Sequence, residues 1–432
     1  MNLKRLLTLF LFVIAAAMQA QNDEDDYYST SGIRYEDYSY RKNIHTVLLS
    51  PDPEVPTYAF LRLNTTDKLW LQFDDLDGDF KNYNYSIVHC TWDWKPSNVL
   101  LSEYLDGFAT YPITSYSFSR TTLQKFTHYK IRIPDDNAKF LFSGNYLLKV
   151  FVDGDEEHPV LTKRFMVYDE RVNITGSVHA ATIVQDRNFK QEVDFNISYP
   201  PGVIVNPFQE IRPVVMQNGR WDNAKIGLQP QFLKDNELVY DYDDINVFPG
   251  GKEYRWLDTR SMIYQGERVA SVAKENGLFH VYLMPDEKRG FKRYMNNPDI
   301  NGRYVVKTYQ GTDSEIDADY VWVHFFLSYD MPVEGGNMYL FGSFSNWNYQ
   351  PRCKMKYNTE KRGYEVSVFL KQGFYNYEYI FLKDNEKAGD TFYTEGMHQE
   401  TENEYMILVY YRRQGGFIDE LIGYKMLNSR QQ

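Results

Sequence analysis

The sequence predicts an all-β chain, arranged as three tandem β-sandwich domains after a cleaved signal peptide. Three observations carry this prediction. Apolar and polar residues alternate in many short runs, which is the two-residue period of a half-buried strand. Strand-favouring aromatics are abundant: 37 Tyr, 28 Phe and 7 Trp make up 17% of 432 residues. No stretch has the apolar spacing of an amphipathic helix, and Gly, Pro, Asn and Asp punctuate the runs instead. At roughly 100–200 residues per domain, the length suits two to four domains.

Residues 1–20 read as the signal peptide. Lys4 and Arg5 precede the apolar run Leu6–Ala17, and Ala20–Gln21 is the expected cleavage point. Residues 21–40 form an acidic, Tyr-rich leader with DEDD at 23–26, read as a flexible segment or an added first strand. The N-terminal sandwich is expected over 41–170. Leu69, Leu71 and Phe73 alternate with Trp70 and Gln72, and Tyr83, Tyr85, Ile87 and His89 with Asn84, Ser86, Val88 and Cys90. DDLDGD at 74–79 lies between them, which predicts a hairpin. Tyr146–Phe151 and Arg164–Tyr168 add further strands.

The middle sandwich is expected over 171–325. Val193, Phe195 and Ile197 alternate with Glu192, Asp194, Asn196 and Ser198, while 206–262 reads as long and irregular. Tyr320–Leu327 is apolar on both faces, so it is a central strand or spans a domain junction. The C-terminal sandwich is expected over 326–432, with strands around 364–371, 375–382 and 405–411. An outer-membrane barrel would need evenly repeated strands of about ten residues, and these runs are uneven.

Composition and motifs narrow the function. With 47 basic and 59 acidic side chains the net charge is −12, or −14 without residues 1–20, which argues against a nucleic-acid partner. After the signal peptide no apolar run is long enough for a membrane-spanning helix. Cys90 and Cys353 are the two cysteines, 263 residues apart, and are expected as buried free thiols. DDLDGD fails the EF-hand pattern: counting from Asp75, position 6 is Phe80 and position 12 is Ser86. Asp241, Asp243 and Asp244 read as a polar loop. His89, His179, His280 and His324 lack ligand spacing, and no nucleophile elbow, phosphate loop or dinucleotide fingerprint occurs. The sequence therefore predicts neither an enzyme nor a cofactor or metal. What remains is an aromatic, non-periodic stretch from Trp92 to Phe118. Trp92, Trp94, Tyr104 and Phe108 are the predicted partner contacts, because aromatics on loops bury large area at low entropic cost.

Two resemblances add to this. YLFGSFSNWNYQP (339–351) with YEVSVFLKQGFYNYEYIF (364–381) resembles the early-set immunoglobulin-like domain of glycogen-binding modules. Gly342, Phe344 and Trp347 match its first segment, and Gly373, Tyr375, Tyr377 and Tyr379 its second. That resemblance implies a sandwich and, as the alternative function, carbohydrate binding at Trp347. The whole mature chain resembles the Plug protein family of the Bacteroidetes type IX secretion system. It does so through FDDLDGDFKNYNYSIVHCTWDW (73–94), QNGRWDNA (217–224), GGKEYRWLDTRS (250–261), ADYVWVHFFL (318–327) and TENEYMILVYYR (401–412), among other runs. This implies a periplasmic protein that docks on the inner opening of the outer-membrane translocon barrel and closes the pore when no cargo is exported. It would not insert into the membrane itself. A third reading, surface-displayed cargo of the same system, would call for a basic, strand-forming C-terminal tail, and LIGYKMLNSRQQ (421–432) does not have that character.

Overall fold

The structure is a computed structural model that describes residues 27–28, 32–55 and 57–430. The expected signal peptide and the acidic run at 23–26 lie outside the described residues. Nearly all regular structure is strand. Helix is limited, among the described residues, to short turns such as Leu101–Tyr104, Pro207–Glu210 and Ser314–Asp317. The strands build three sandwiches, each closed around its own apolar core.

In the first sandwich, one sheet orders Tyr38–Ser39, Leu161–Tyr168, Gly144–Val152, Tyr83–Cys90 and Tyr111–Pro112. The other orders Ile44–Ser50, Leu69–Asp75, Thr127–Ile133 and Tyr116–Phe118. The leader thus contributes a first strand, through Tyr38 opposite Thr162. Leu69, Leu71 and Phe73 face Tyr83, Tyr85 and Ile87 across the core, as the alternation requires. The hairpin expected at 74–79 does not form: its two strands lie in opposite sheets. The physical reason is Asp75. Its buried carboxylate accepts from Asp77 N (3.1 Å), Lys81 Nζ (2.6 Å) and Tyr83 OH (2.9 Å), which pins residues 76–82 as a crossover between sheets.

The first strand of the second sandwich is Asn173–Ala180, and its sheets draw on residues well beyond 325. Asn173–Ala180, Lys190–Ser198, Glu237–Tyr240 and Phe232–Lys234 form one sheet, with Val247–Pro249 also paired to Lys190–Ser198. The facing sheet orders Lys225–Ile226, Ile211–Gln217, Glu404–Tyr411 and Glu420–Asn428. The strand expected near 405–411, with Glu420–Asn428, which was not read as a strand from the sequence, therefore completes the middle domain, and the boundary at 325/326 does not separate sheets. The stretch read as irregular holds the missing partner. Ile211 and Val215 join Tyr405, Ile407 and Val409 in the core, while Val214 and Met216 point to the other side.

The third sandwich is inserted between Pro249 and Glu404. Arg255–Asp258, Gly336–Phe341 and Tyr304–Val306 all pair with Gly373–Lys383. The facing sheet orders Val269–Glu275, Leu278–Leu283, Tyr320–Ser328, Gly363–Lys371 and Lys356–Asn358. Tyr320–Ser328 is central, as its two apolar faces predict: it runs antiparallel to Gly363–Lys371 and parallel to Leu278–Leu283.

Candidate partner-binding surface

The three sandwiches lock together through buried contacts, and these absorb much of the aromatic content expected on partner-binding loops. Trp94 is 5% exposed, at φ +61. It meets Trp221 edge-on at 5.4 Å, and the Arg164 guanidinium lies 4.5 Å from its ring centre. Around it Cys90, Leu147 and Met166 of the first sandwich pack on Val214, Met406, Leu408 and Leu421 of the second. Trp92 is half-buried on the same cluster, and its backbone N–H donates to Asp419 Oδ2 (3.0 Å). Tyr104 is buried in the first core and donates to Ile87 O (3.0 Å). These three predicted contacts are thus wholly or partly inside the molecule. The loops carrying the tryptophans face another sandwich of the same chain rather than solvent.

The other junctions add buried polar and charged contacts to aromatic ones such as Phe126 against Tyr320 (5.5 Å). Between the first and third sandwiches, Asp74 accepts from Lys371 Nζ (2.6 Å), Tyr320 OH (2.7 Å) and His128 Nδ1 (2.7 Å). Burial pushes the Asp74 carboxyl up, but Lys371 and His128 together hold it below its usual range. Between the second and third, Arg220 bridges Asp222 (2.7 Å) and Glu378 (3.2 Å), and Arg303 pairs with Glu404 (2.8 Å). Burial raises Glu378 to about 7 despite Arg220.

Where the three units meet lies a cavity of about 370 Å³, whose lining includes Tyr58, Arg164, Trp221, Arg303 and Trp347. Trp347 is half-buried here. Its ring packs near Phe341 (5.5 Å) and Tyr254 (6.1 Å), and its tip fills the space left by Gly302, at φ +74. It is a wall of the junction, not the open platform that stacking on a sugar requires.

Two further groups visible in the sequence have physical explanations. Asp75, Asp77 and Asp79 converge, but the ammonium of Lys81 already sits among them. His89 contacts Ser97, yet the Ser97 hydroxyl donates to His89 O (3.0 Å), so His89 Nδ1–H donates to Ser97 Oγ (2.9 Å). A ring that spends its Nδ1 proton on the serine is not arranged as that serine's base. Burial lowers His89 to about 4. Cys90 and Cys353 are buried free thiols, raised by desolvation to about 12 and about 11.

Exposed apolar side chains occur on all three sandwiches, Phe232 on the second and Phe291 on the third among them; of the four predicted contacts, Phe108 on the first sandwich is exposed. Phe108 is 64% exposed, touching Tyr111 edge-on at 5.9 Å. A second group was not singled out as a patch from sequence: Phe80, Tyr116 and Phe118, all exposed, with rings 4.8 Å apart for Phe80–Tyr116 and 5.7 Å for Tyr116–Phe118. Tyr116–Phe118 is an edge strand paired only to Thr127–Tyr129, so its other backbone edge is open as well. The available signal was an aromatic following an acidic turn, at Phe80. A contiguous aromatic group on an open edge is suited to protein contact. No helix among the described residues is long and apolar enough to cross a membrane.

Comparisons with known proteins fit this picture. A family model described as type 9 secretion system plug protein 1st domain matches residues 44–169, the span of the first sandwich. The crystal structure of a hypothetical protein from Parabacteroides merdae is similar at 33% identity and a TM-score of 0.88, over 92% of this chain and 100% of that one. An Escherichia coli alpha-2-macroglobulin aligns at 9% identity over 89% of this chain and 28% of that one. Its TM-score is 0.17. No curated protein matches the chain.

Proposed function

We propose that this chain, which belongs to the type 9 secretion system plug protein family, is a non-enzymatic lid: it docks from the periplasm on the opening of the outer-membrane translocon barrel and closes the pore while no cargo is exported. Family membership is the observation that carries the reading. It associates the protein with the secretion machinery and suggests a periplasmic location beside it.

The physical features support it. A lid must resist deformation across a wide opening, and the three sandwiches are joined by buried contacts at every junction. A lid must also leave, which favours a modest interface with a few aromatic anchors over an extensive apolar one. Phe80, Phe108, Tyr116 and Phe118 supply such anchors, all on the first sandwich.

Deletion of the gene tests the pore-closing role. The expected result is an outer membrane permeable to a large hydrophilic antibiotic, restored to tightness by the wild-type chain and poorly by Tyr116→Ala/Phe118→Ala. Unchanged permeability in the deletion strain would contradict it.

A further inference from the structure

We propose that His179, Glu192 and Asp194 of the second sandwich form a binding site for one divalent transition-metal ion of the zinc type. Strand register brings them together. His179 lies directly opposite Glu192 between Asn173–Ala180 and Lys190–Ser198, and Asp194 is its diagonal neighbour on the same outer face. His179 Nε2 is 2.6 Å from Asp194 Oδ2 and 3.9 Å from Glu192 Oε1. One histidine and two carboxylates are a ligand set that zinc accepts, with a fourth position left for water.

Each side chain is oriented from outside the group. His179 Nδ1–H donates to Ala180 O (2.9 Å), which leaves Nε2 as the nitrogen turned inward. Glu192 Oε2 accepts from Thr182 N (2.7 Å), and Asp194 Oδ1 from Asn246 Nδ2 (2.9 Å). The Glu192 side chain is 1% exposed, yet among the described residues no Lys or Arg pairs with it or with Asp194. Both Glu192 oxygens are held by Thr182, whose hydroxyl reaches Oε1 at 3.1 Å, so the group that faces both carboxylates is the His179 ring. The contrast is internal: the Asp75, Asp77 and Asp79 group already holds Lys81.

Without metal, His179 Nε2 hydrogen-bonds Asp194 Oδ2 (2.6 Å). Metal entry replaces that hydrogen bond and opens the Nε2–Oδ2 separation to about 3.3 Å, the spacing two tetrahedral ligands at about 2.0–2.1 Å require. His179 is half-exposed, so the ring has room to move.

The test is calorimetric titration of the untagged mature chain with zinc chloride, paralleled by cobalt(II) absorption. The expected result is one saturable equivalent, with the intense visible bands of four-coordinate cobalt. Binding should weaken at least tenfold in His179→Ala and in Glu192→Gln, and persist in Asp77→Asn/Asp79→Asn. Circular dichroism melts of each variant separate lost ligation from lost fold. Absence of saturable uptake, or uptake that survives in a folded His179→Ala variant, overturns the proposal.

Discussion

Replacing Lys371 by methionine probes the contact that joins the first sandwich to the third. The substitution keeps most of the stem and removes the ammonium. Both partners of the pair are 1% exposed, and their charged atoms are 2.6 Å apart. At an effective dielectric constant near 20, such charges attract by about 6 kcal/mol. Asp74 would retain Tyr320 OH and His128 Nδ1, so the loss should be smaller, in the range of about 3–5 kcal/mol for a buried charge that loses its partner. That corresponds to a fall in melting temperature of roughly 10 °C for a unit of this size. Adding Asp74→Asn removes the stranded charge and should recover most of the loss. The pH dependence has a definite sign. Asp74 is held below its usual value, so its contribution is present at neutral pH and disappears as the pH falls through that depressed pKa. The gap between wild type and Lys371→Met should therefore be widest near pH 7 and close below about pH 4. Differential scanning calorimetry of the whole chain is the assay. A drop under about 2 °C, or a double variant no more stable than the single one, would refute the reasoning.

Trp94→Ala should cost about 3–5 kcal/mol, read by urea unfolding, because it empties the junction between the first and second sandwiches. Glu378→Gln should leave stability unchanged at pH 5 and raise it at pH 8 by up to about 3 kcal/mol. The buried carboxyl is raised to about 7, so its ionisation destabilises the folded chain as pH increases. Cys90 and Cys353 should resist a thiol-specific chromogenic reagent at pH 8 in the folded protein and react fully in denaturant, since burial holds both thiols protonated and covered.

Strand identity was legible because alternation is a local property. Val193, Phe195 and Ile197 do face a core, with Glu192 and Asp194 outside it, and Tyr320–Ser328 is central. Sheet membership was not, because it depends on contacts far along the chain. Leu69–Asp75 and Tyr83–Cys90 read as a hairpin, but Asp75 turns their connection into a crossover. The C-terminal hairpin completes a core begun some two hundred residues earlier, and no local pattern announces an insertion. The burial of Trp94 and Tyr104, and the half-burial of Trp92, escaped the sequence for a related reason, while Phe108 is exposed. Trp92 and Trp94 carry the composition of an interface and do form one, within the chain. His179 looked solitary because its carboxylate neighbours come from the facing strand, through register rather than spacing.

In the proposed lid, the chain, whose first sandwich matches the plug family's first-domain model, meets the translocon barrel through the exposed aromatic strand Tyr116–Phe118. Affinity capture from detergent-solubilised outer membranes, with the wild-type chain and Tyr116→Ala/Phe118→Ala side by side, tests it most directly. The wild-type chain should recover the barrel, and the variant, equally folded, should recover much less. Failure of the wild-type chain to recover the barrel, or equal recovery by both, would contradict it.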